Sequence, residues 1–268
     1  MNHQIDSLAY TNRLRGLPPS HKLSFAIALL ILSLVSHAAV QLSIGLWLTI
    51  WIVVYAGIPA KLYLRLLWLP LVFLLTSLPA LAMGAVAGDR IQEIQWDIWQ
   101  GWGISLGTFY IYVSRTGIYQ VSLLFARAFA STSCMYFILL TVPFTEILQI
   151  LRKLRCPELV TELLLLMYRF IFSLLAIADE LWTAQNSRCG YRTWKLGMHS
   201  LSILIGQLLQ RTLVNYRQVS LSLASRGFNG ELRVWNSYPY KPSRRYTFEA
   251  VFGCTVLTLL SILRTIGG

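Results

Sequence analysis

The 268-residue chain is 56% hydrophobic and 13% charged, with a mean hydropathy of +0.57 and a net charge of +12. Soluble domains carry roughly a quarter of their residues as charges, so the composition excludes that class and predicts an integral membrane protein. The basic excess fits the positive-inside rule and anionic lipid, not nucleic acid, because the basic residues flank apolar spans instead of forming a tail.

The opening MNHQIDSLAYTNRLRGLPPSHK is polar, lacks the apolar core of a signal peptide, and is expected to stay in the cytoplasm. Leu23 to Ala60 then runs for 38 residues without Asp, Glu, Lys or Arg. As one helix it would be roughly 57 Å long, against a hydrocarbon core of about 30 Å. It is expected to form two spans with a turn near Ser36-His37. Lys22 on one flank, and Lys61 with Arg65 on the other, place both outer ends inside.

Leu66 to Gly88 predicts a third span, which Pro70 and Pro79 can kink. The following DRIQEIQWDIWQGW has three acids, one base and three tryptophans, as expected of an outer-face loop with its aromatic belt. Thr116 to Thr145 supplies a fourth span, interrupted by Arg127. An intramembrane arginine faces the bundle interior or a partner; alternatively, Arg127 caps a span that starts near it. A last span is expected at Tyr246 to Ile266.

Pro143 to Arg245 differs, with 14 Lys/Arg against six Asp/Glu. It reads as long helices with mixed faces. Pro157-Glu158 is a helix start, and Leu201, Leu204, Leu208 and Leu213 recur near helical spacing. Basic borders at Arg152-Lys153-Arg155 and Lys241-Arg244-Arg245 support a cytoplasmic assignment. The expected architecture is an all-α integral membrane protein of about five transmembrane helices. A cytoplasmic insertion of long amphipathic helices lies between the fourth and fifth. In residue numbers this is 1–142 for the tail and first four helices, 143–245 for the insertion and 246–268 for the last helix.

Both long helices of the insertion end alike. One closes on Ser187-Arg188-Cys189 and the other on Ser225-Arg226-Gly227, each followed within three residues by an aromatic, Tyr191 or Phe228. Gly190 and Gly227 can end a helix in the left-handed conformation, and an arginine in a last turn complements the helix dipole. An arginine held at a helix tip can also make bidentate contacts to carboxylates of another protein.

On these residues the chain resembles the transmembrane T component of energy-coupling-factor ABC transporters, the CbiQ-like proteins. The resemblance rests on IDSLAYTNRLRGLPPSHKL, TVPFTEILQILRKLRCPELVTELLLLMYRF, and the pair NSRCG and ASRGF. In that family two Ala-Arg-Gly-like motifs at the tips of coupling helices dock into two ATP-binding cassette subunits. The resemblance implies that role for Arg188 and Arg226, with Ser187, Cys189, Ser225 and Gly227 completing the motifs, and leaves Arg127 and Arg169 as candidate structural or coupling residues. Ser187 and Ser225 replace the family's alanine, and Cys189 its first glycine. The implied partners are two ATPase subunits, a substrate-binding membrane S component and the lipid bilayer. ATP would be used by the partners, and no cofactor by this chain. The opening stretch resembles the cobalt and nickel group, although related T components serve vitamins.

Other readings have less support. No Walker A loop is present. The four cysteines, Cys134, Cys156, Cys189 and Cys254, form no CxxC pair, so no zinc or disulfide framework is expected. Asp179-Glu180 reads as a solvated helix face rather than a membrane enzyme's acid pair. The histidines are dispersed, and Met1-Asn2-His3, a pattern that can bind copper or nickel, reads as incidental. A self-contained permease would need buried polar groups around a cavity, for which Arg127 and His37 are the candidates.

Overall fold

The uncharged run after Leu23 turns back on itself. In the computed structural model, which describes residues 8–87, 98–106, 109–227, 240 and 243–266, helix α1 spans Pro19–Val35 and α2 spans Ala38–Ile50. Ser36 and His37 form the expected turn. Gln41, fully buried, donates its amide to the carbonyls of Ser33 (2.8 Å) and Ser36 (2.7 Å). A buried helix end has no water to satisfy it, so Gln41 is what lets the chain reverse there. α2 continues through a π-helical turn, Trp51–Tyr55.

α3 covers Ala60–Ala82, with Pro70 and Pro79 inside it. A small antiparallel sheet follows, of strands β1 (Met83–Ala87), β2 (Ile98–Leu106) and β3 (Phe109–Ser114) in the order β1-β3-β2. Strand replaces part of the expected third span and of the expected Trp-rich loop. Residues 89–97 of that loop, Met1-Asn2-His3 and Phe228 lie outside the described residues. α4 is Arg115–Thr141, capped by Ser114, whose hydroxyl accepts from the Gly117 N–H at 2.9 Å.

The chain divides into two compact units, Met1–Pro143 with Pro239–Gly268, and Phe144–Tyr238. In the first, α4 packs on α1, α2 and α3, and α8 (Arg244–Ile266) packs on α1 and α2. Phe25, Trp47, Trp51 and Phe137 make edge and tilted ring contacts, with Phe25 5.2 Å from Trp51 and 5.7 Å from Phe137. Such ring pairs contribute about 0.5–1.5 kcal/mol each beyond their burial. Tyr63 reaches across, its hydroxyl 3.1 Å from both Thr49 Oγ1 and Ser133 Oγ. The last carbonyls of α4 are met by the N-terminal segment: Asn12 Nδ2 donates to Leu140 and Thr141 (3.3 Å each), and Lys22 Nζ to Thr141 (3.0 Å). In the second unit, α5 (Phe144–Lys153) packs on α6 (Glu158–Ser187), and α6 on α7 (Trp194–Ser225).

Five described helices are long and apolar enough to cross a membrane, so the all-α membrane class holds. Their membership differs from the expectation in one place. α1, 17 residues long, is shorter than the rest, whereas α6, assigned by sequence to the insertion, qualifies as Glu158–Ser187. Its charges sit near its two ends, with Arg169 alone between them.

Close approach between helices relies on absent side chains. A Cβ at Gly45 would run into the Phe129 ring, and one at Gly253 into Trp47. Gly45→Leu is therefore expected to cost about 1–3 kcal/mol and to lower the thermal midpoint of the detergent-purified chain. Gly206→Ala, which meets open space on α7, is expected to leave the midpoint unchanged or raise it, by up to about 1 kcal/mol.

Candidate functional site

The two arginine motifs fold to one geometry. Arg188 caps α6 at φ −95°, ψ 15°, and Arg226 caps α7 at φ −94°, ψ 12°. The residue after each is left-handed, Cys189 at φ 57° and Gly227 at φ 68°. Its N–H donates to the carbonyl three residues back, Asn186 (3.0 Å) and Ala224 (3.1 Å) respectively. The serine before each arginine also donates three residues back, Ser187 to Ala184 and Ser225 to Ser222, at 2.9 Å in both. Both serine hydroxyls are therefore satisfied within their own helix turn.

One expectation is corrected. Gly190 is not the left-handed residue; Cys189 is. Gly190 instead closes the cap by donating to Gln185 O at 2.9 Å. It must also be small: a Cβ there would lie 2.8 Å from Ser200 Oγ and 3.0 Å from Gln185 O. A non-glycine residue in the left-handed region costs roughly 1–2 kcal/mol.

Side chains that sequence reading passed over hold the first cap in place. Gln185 Nε2 donates to Ser200 O (3.0 Å), Ser200 Oγ donates to Gly190 O (2.8 Å), and the Tyr191 hydroxyl donates to Gln185 Oε1 (2.7 Å). Tyr191 also stacks on Trp182 at 4.2 Å. These bonds tie the end of α6 to the start of α7. The aromatic after Arg188 is thus a strut of the turn. Glu180 pairs with Arg211 of α7 at 3.5 Å, both exposed, a contact worth at most about 1 kcal/mol.

Arg188 and Arg226 are exposed, and neither guanidinium has a partner among the described residues. They do not lie together. Arg188 sits at the turn before α7 and Arg226 at its far end, separated by a helix of 32 residues, about 48 Å long. Arg169 is exposed in mid-α6, about 28 Å along that helix from Arg188, and shares no contact with either motif.

Arg127 belongs to the other unit. It does not cap the start of a span: it stands near the midpoint of α4, a helix of 27 residues. It is half-buried, and its Nε is enclosed without a hydrogen-bond partner. A charge at such a depth costs at least about 2.5–3.5 kcal/mol. Among the described residues no group of three His, Cys, Asp or Glu could hold a metal ion.

α6 and α7 also expose large apolar side chains, among them Met167, Ile171, Ile205, Leu209 and Leu213. Of the predicted leucine stripe on α7, Leu204 is buried, whereas Leu201 and Leu213 are exposed. The unit therefore offers two charged tips joined by apolar helix faces, an arrangement suited to contact with other molecules. Cys189→Gly is expected to relieve the strained cap and stabilise the chain by about 1 kcal/mol, or about 2–4 °C in thermal midpoint. Gly227→Ala should cost a similar amount.

A family model described as "CbiQ: Cobalt transport protein" matches residues 11–235, a range that contains both arginines. An uncharacterized protein of Methanocaldococcus jannaschii is 29% identical over 97% of this chain and 93% of its own length. A cobalt transport protein CbiQ of Salmonella typhimurium is 27% identical over 86% of this chain and 99% of its own. A putative fused cobalt transport protein CbiMQ of Methanocorpusculum labreanum is 28% identical over 85% of this chain but 37% of its own length. With most of its length matched by that model and its helices apolar enough to cross the bilayer several times, the chain is a multi-pass membrane protein, a transporter component rather than an enzyme, and belongs to the CbiQ family.

Proposed function

We propose that this chain is the transmembrane coupling component of an energy-coupling-factor importer for cobalt or nickel, transmitting motion from two cytoplasmic ATPase subunits to a substrate-binding membrane subunit. The observation that carries the reading is the pair of similarly capped, exposed arginines at opposite ends of α7, without a side-chain partner among the described residues. Their separation of about 48 Å is comparable to the diameter of a whole domain of ~250 residues. Each tip therefore meets a different subunit, and one subunit does not hold both.

The chemistry follows from the guanidinium. Planar and permanently charged, it grips a carboxylate with two parallel hydrogen bonds, so the contact is directional and transmits force without slack. The left-handed cap fixes where the backbone stops and so where each arginine points. When ATP draws the two subunits together, α7 is loaded at both ends and the apolar helix faces shift against the membrane partner. ATP is bound and hydrolysed by the partners, and this chain carries no cofactor. The fused CbiMQ relative supports a CbiM-like protein as that membrane partner. The printed names of the relatives support cobalt as cargo, and nickel belongs to the same group.

The positive-inside pattern supports a cytoplasmic N-terminus, and we read α6, although it is apolar enough to cross, as lying on that same side with the rest of residues 144–238. Cys189 is exposed while Cys134 is buried. With Cys189 as the one remaining cysteine, a membrane-impermeant maleimide is expected to label inverted vesicles and not intact cells. Labelling of intact cells would reverse the orientation.

The central test is co-purification of the tagged chain from its native membrane with ATPase assay of the eluate. ATPase subunits are expected to accompany the wild-type chain. Arg188→Glu with Arg226→Glu should release them and lower ATP-driven metal uptake more than about tenfold, the loss of two charge-assisted contacts of about 1.5–3 kcal/mol each. The chain itself should stay folded, since both side chains are exposed. A double variant that keeps its ATPases and sustains uptake would sink the reading.

A further inference from the structure

The coupling reading leaves Arg127 without a task. α4 is 27 residues long, about 40 Å, and Arg127 stands about 18–21 Å from either end. The midplane of a bilayer lies about 15 Å from the headgroups, further than an arginine side chain can stretch, so Arg127 does not reach lipid phosphate. Nor is its charge met among the described residues, where Nε is enclosed without a hydrogen-bond partner and no ion pair reaches it. Ser131, one turn on, donates at 2.9 Å to the backbone carbonyl of Arg127, and the guanidinium makes no hydrogen bond to its hydroxyl among the described residues.

Arg127 also lies on a defined face. Gln120, Leu124, Ser131 and Met135 are spaced from it by seven, three, four and eight residues, one stripe of a helix. All are half-exposed or exposed, whereas Ala126, Ala130, Cys134 and Phe137 of the adjoining stripe are buried, so Arg127 stands where the exposed face meets the packed one. A second copy of this chain does not cover the stripe, because the stripe holds a cation and no acid, and two copies would bring like charges together.

We infer that the Gln120–Leu124–Arg127–Ser131–Met135 face of α4 is the seat of a transmembrane helix of the membrane partner, and that a carboxylate on that helix pairs with Arg127 near the bilayer midplane. The pair is worth more there than in water, since neither charge has an alternative. It would fix the depth and rotation of the partner helix on α4. This inference rests on the coupling reading for the existence of the partner and adds where it binds.

Arg127→Lys supplies a primary amine at the site. Native membranes carrying the tagged variant are treated with dicyclohexylcarbodiimide, which joins an amine to a touching carboxylate within hydrocarbon, and the adduct is mapped by mass spectrometry. The expected result is an amide to one Asp or Glu in an apolar span of a separate membrane protein. In parallel, Arg127→Met should lower the yield of that protein relative to the tagged chain by about tenfold or more, with ATPase yield unchanged. Should the Arg127→Met chain not accumulate, the adduct decides alone. An adduct within this chain, or to a second copy, would overturn the inference. So would an intact complex without an adduct, or an Arg127→Met chain that keeps its membrane partner. If the wild-type chain brings down ATPases but no other membrane protein, this inference falls together with transmission to a membrane subunit, and the docking of ATPases at Arg188 and Arg226 stands. If it brings down neither, both fall.

Discussion

A backbone carbonyl inside a bilayer has no water to turn to, and the membrane unit is arranged around that fact. α1 can end in mid-chain because Gln41 reaches back to Ser33 and Ser36. α4, which α1, α2 and α3 all touch, can end at Thr141 because Asn12 and Lys22 cover its last carbonyls. The N-terminal segment is therefore part of the core: Leu14 is fully buried and Asn12 nearly so. The aromatic contacts among Phe25, Trp51 and Phe137 add packing on a frame that these polar caps have already set.

The second unit ends its helices differently. Its helix ends are closed by their own backbone, with a left-handed residue after each arginine, and this frees the guanidinium from any structural duty. An arginine that caps its own carbonyls is spent; Arg188 and Arg226 are not. The small sheet and the π-turn at Trp51–Tyr55 are further departures from plain helix, both within the membrane unit.

Much of this was legible in the residues. Thirty-eight uncharged positions cannot cross a bilayer once, and Ser36-His37 was the natural place to turn. The repeated small-Arg-small ends were also visible, and they proved alike down to the serine hydroxyls. Other features were not legible, for physical reasons. Which of two adjacent residues becomes left-handed depends on which N–H closes on Gln185 of α6 and on the space beside Ser200 of α7, so the cysteine took the position that glycine would have favoured. α6 was read as amphipathic because it carries five charges, yet only Arg169 falls among residues 163–178, which leaves its middle nearly as apolar as a span. The first strand escaped because Met83–Ala87 continues an uncharged run and satisfies an apolar count as well as a helix does. Gln185 and Ser200 carried no signal beyond ordinary polar residues on a helix.

The length of α7 has a mechanical consequence. A rod of 32 residues is about 48 Å long, so a tilt of about 10° around its middle displaces each end by about 4 Å, in opposite directions. Two bodies gripping its ends would thus exchange displacement for torque, and a small approach between them would become a rotation of everything packed along the rod. Such a lever is only as stiff as its grips. The closed helix ends at Arg188 and Arg226 remove fraying at the two points where slack would otherwise absorb the stroke.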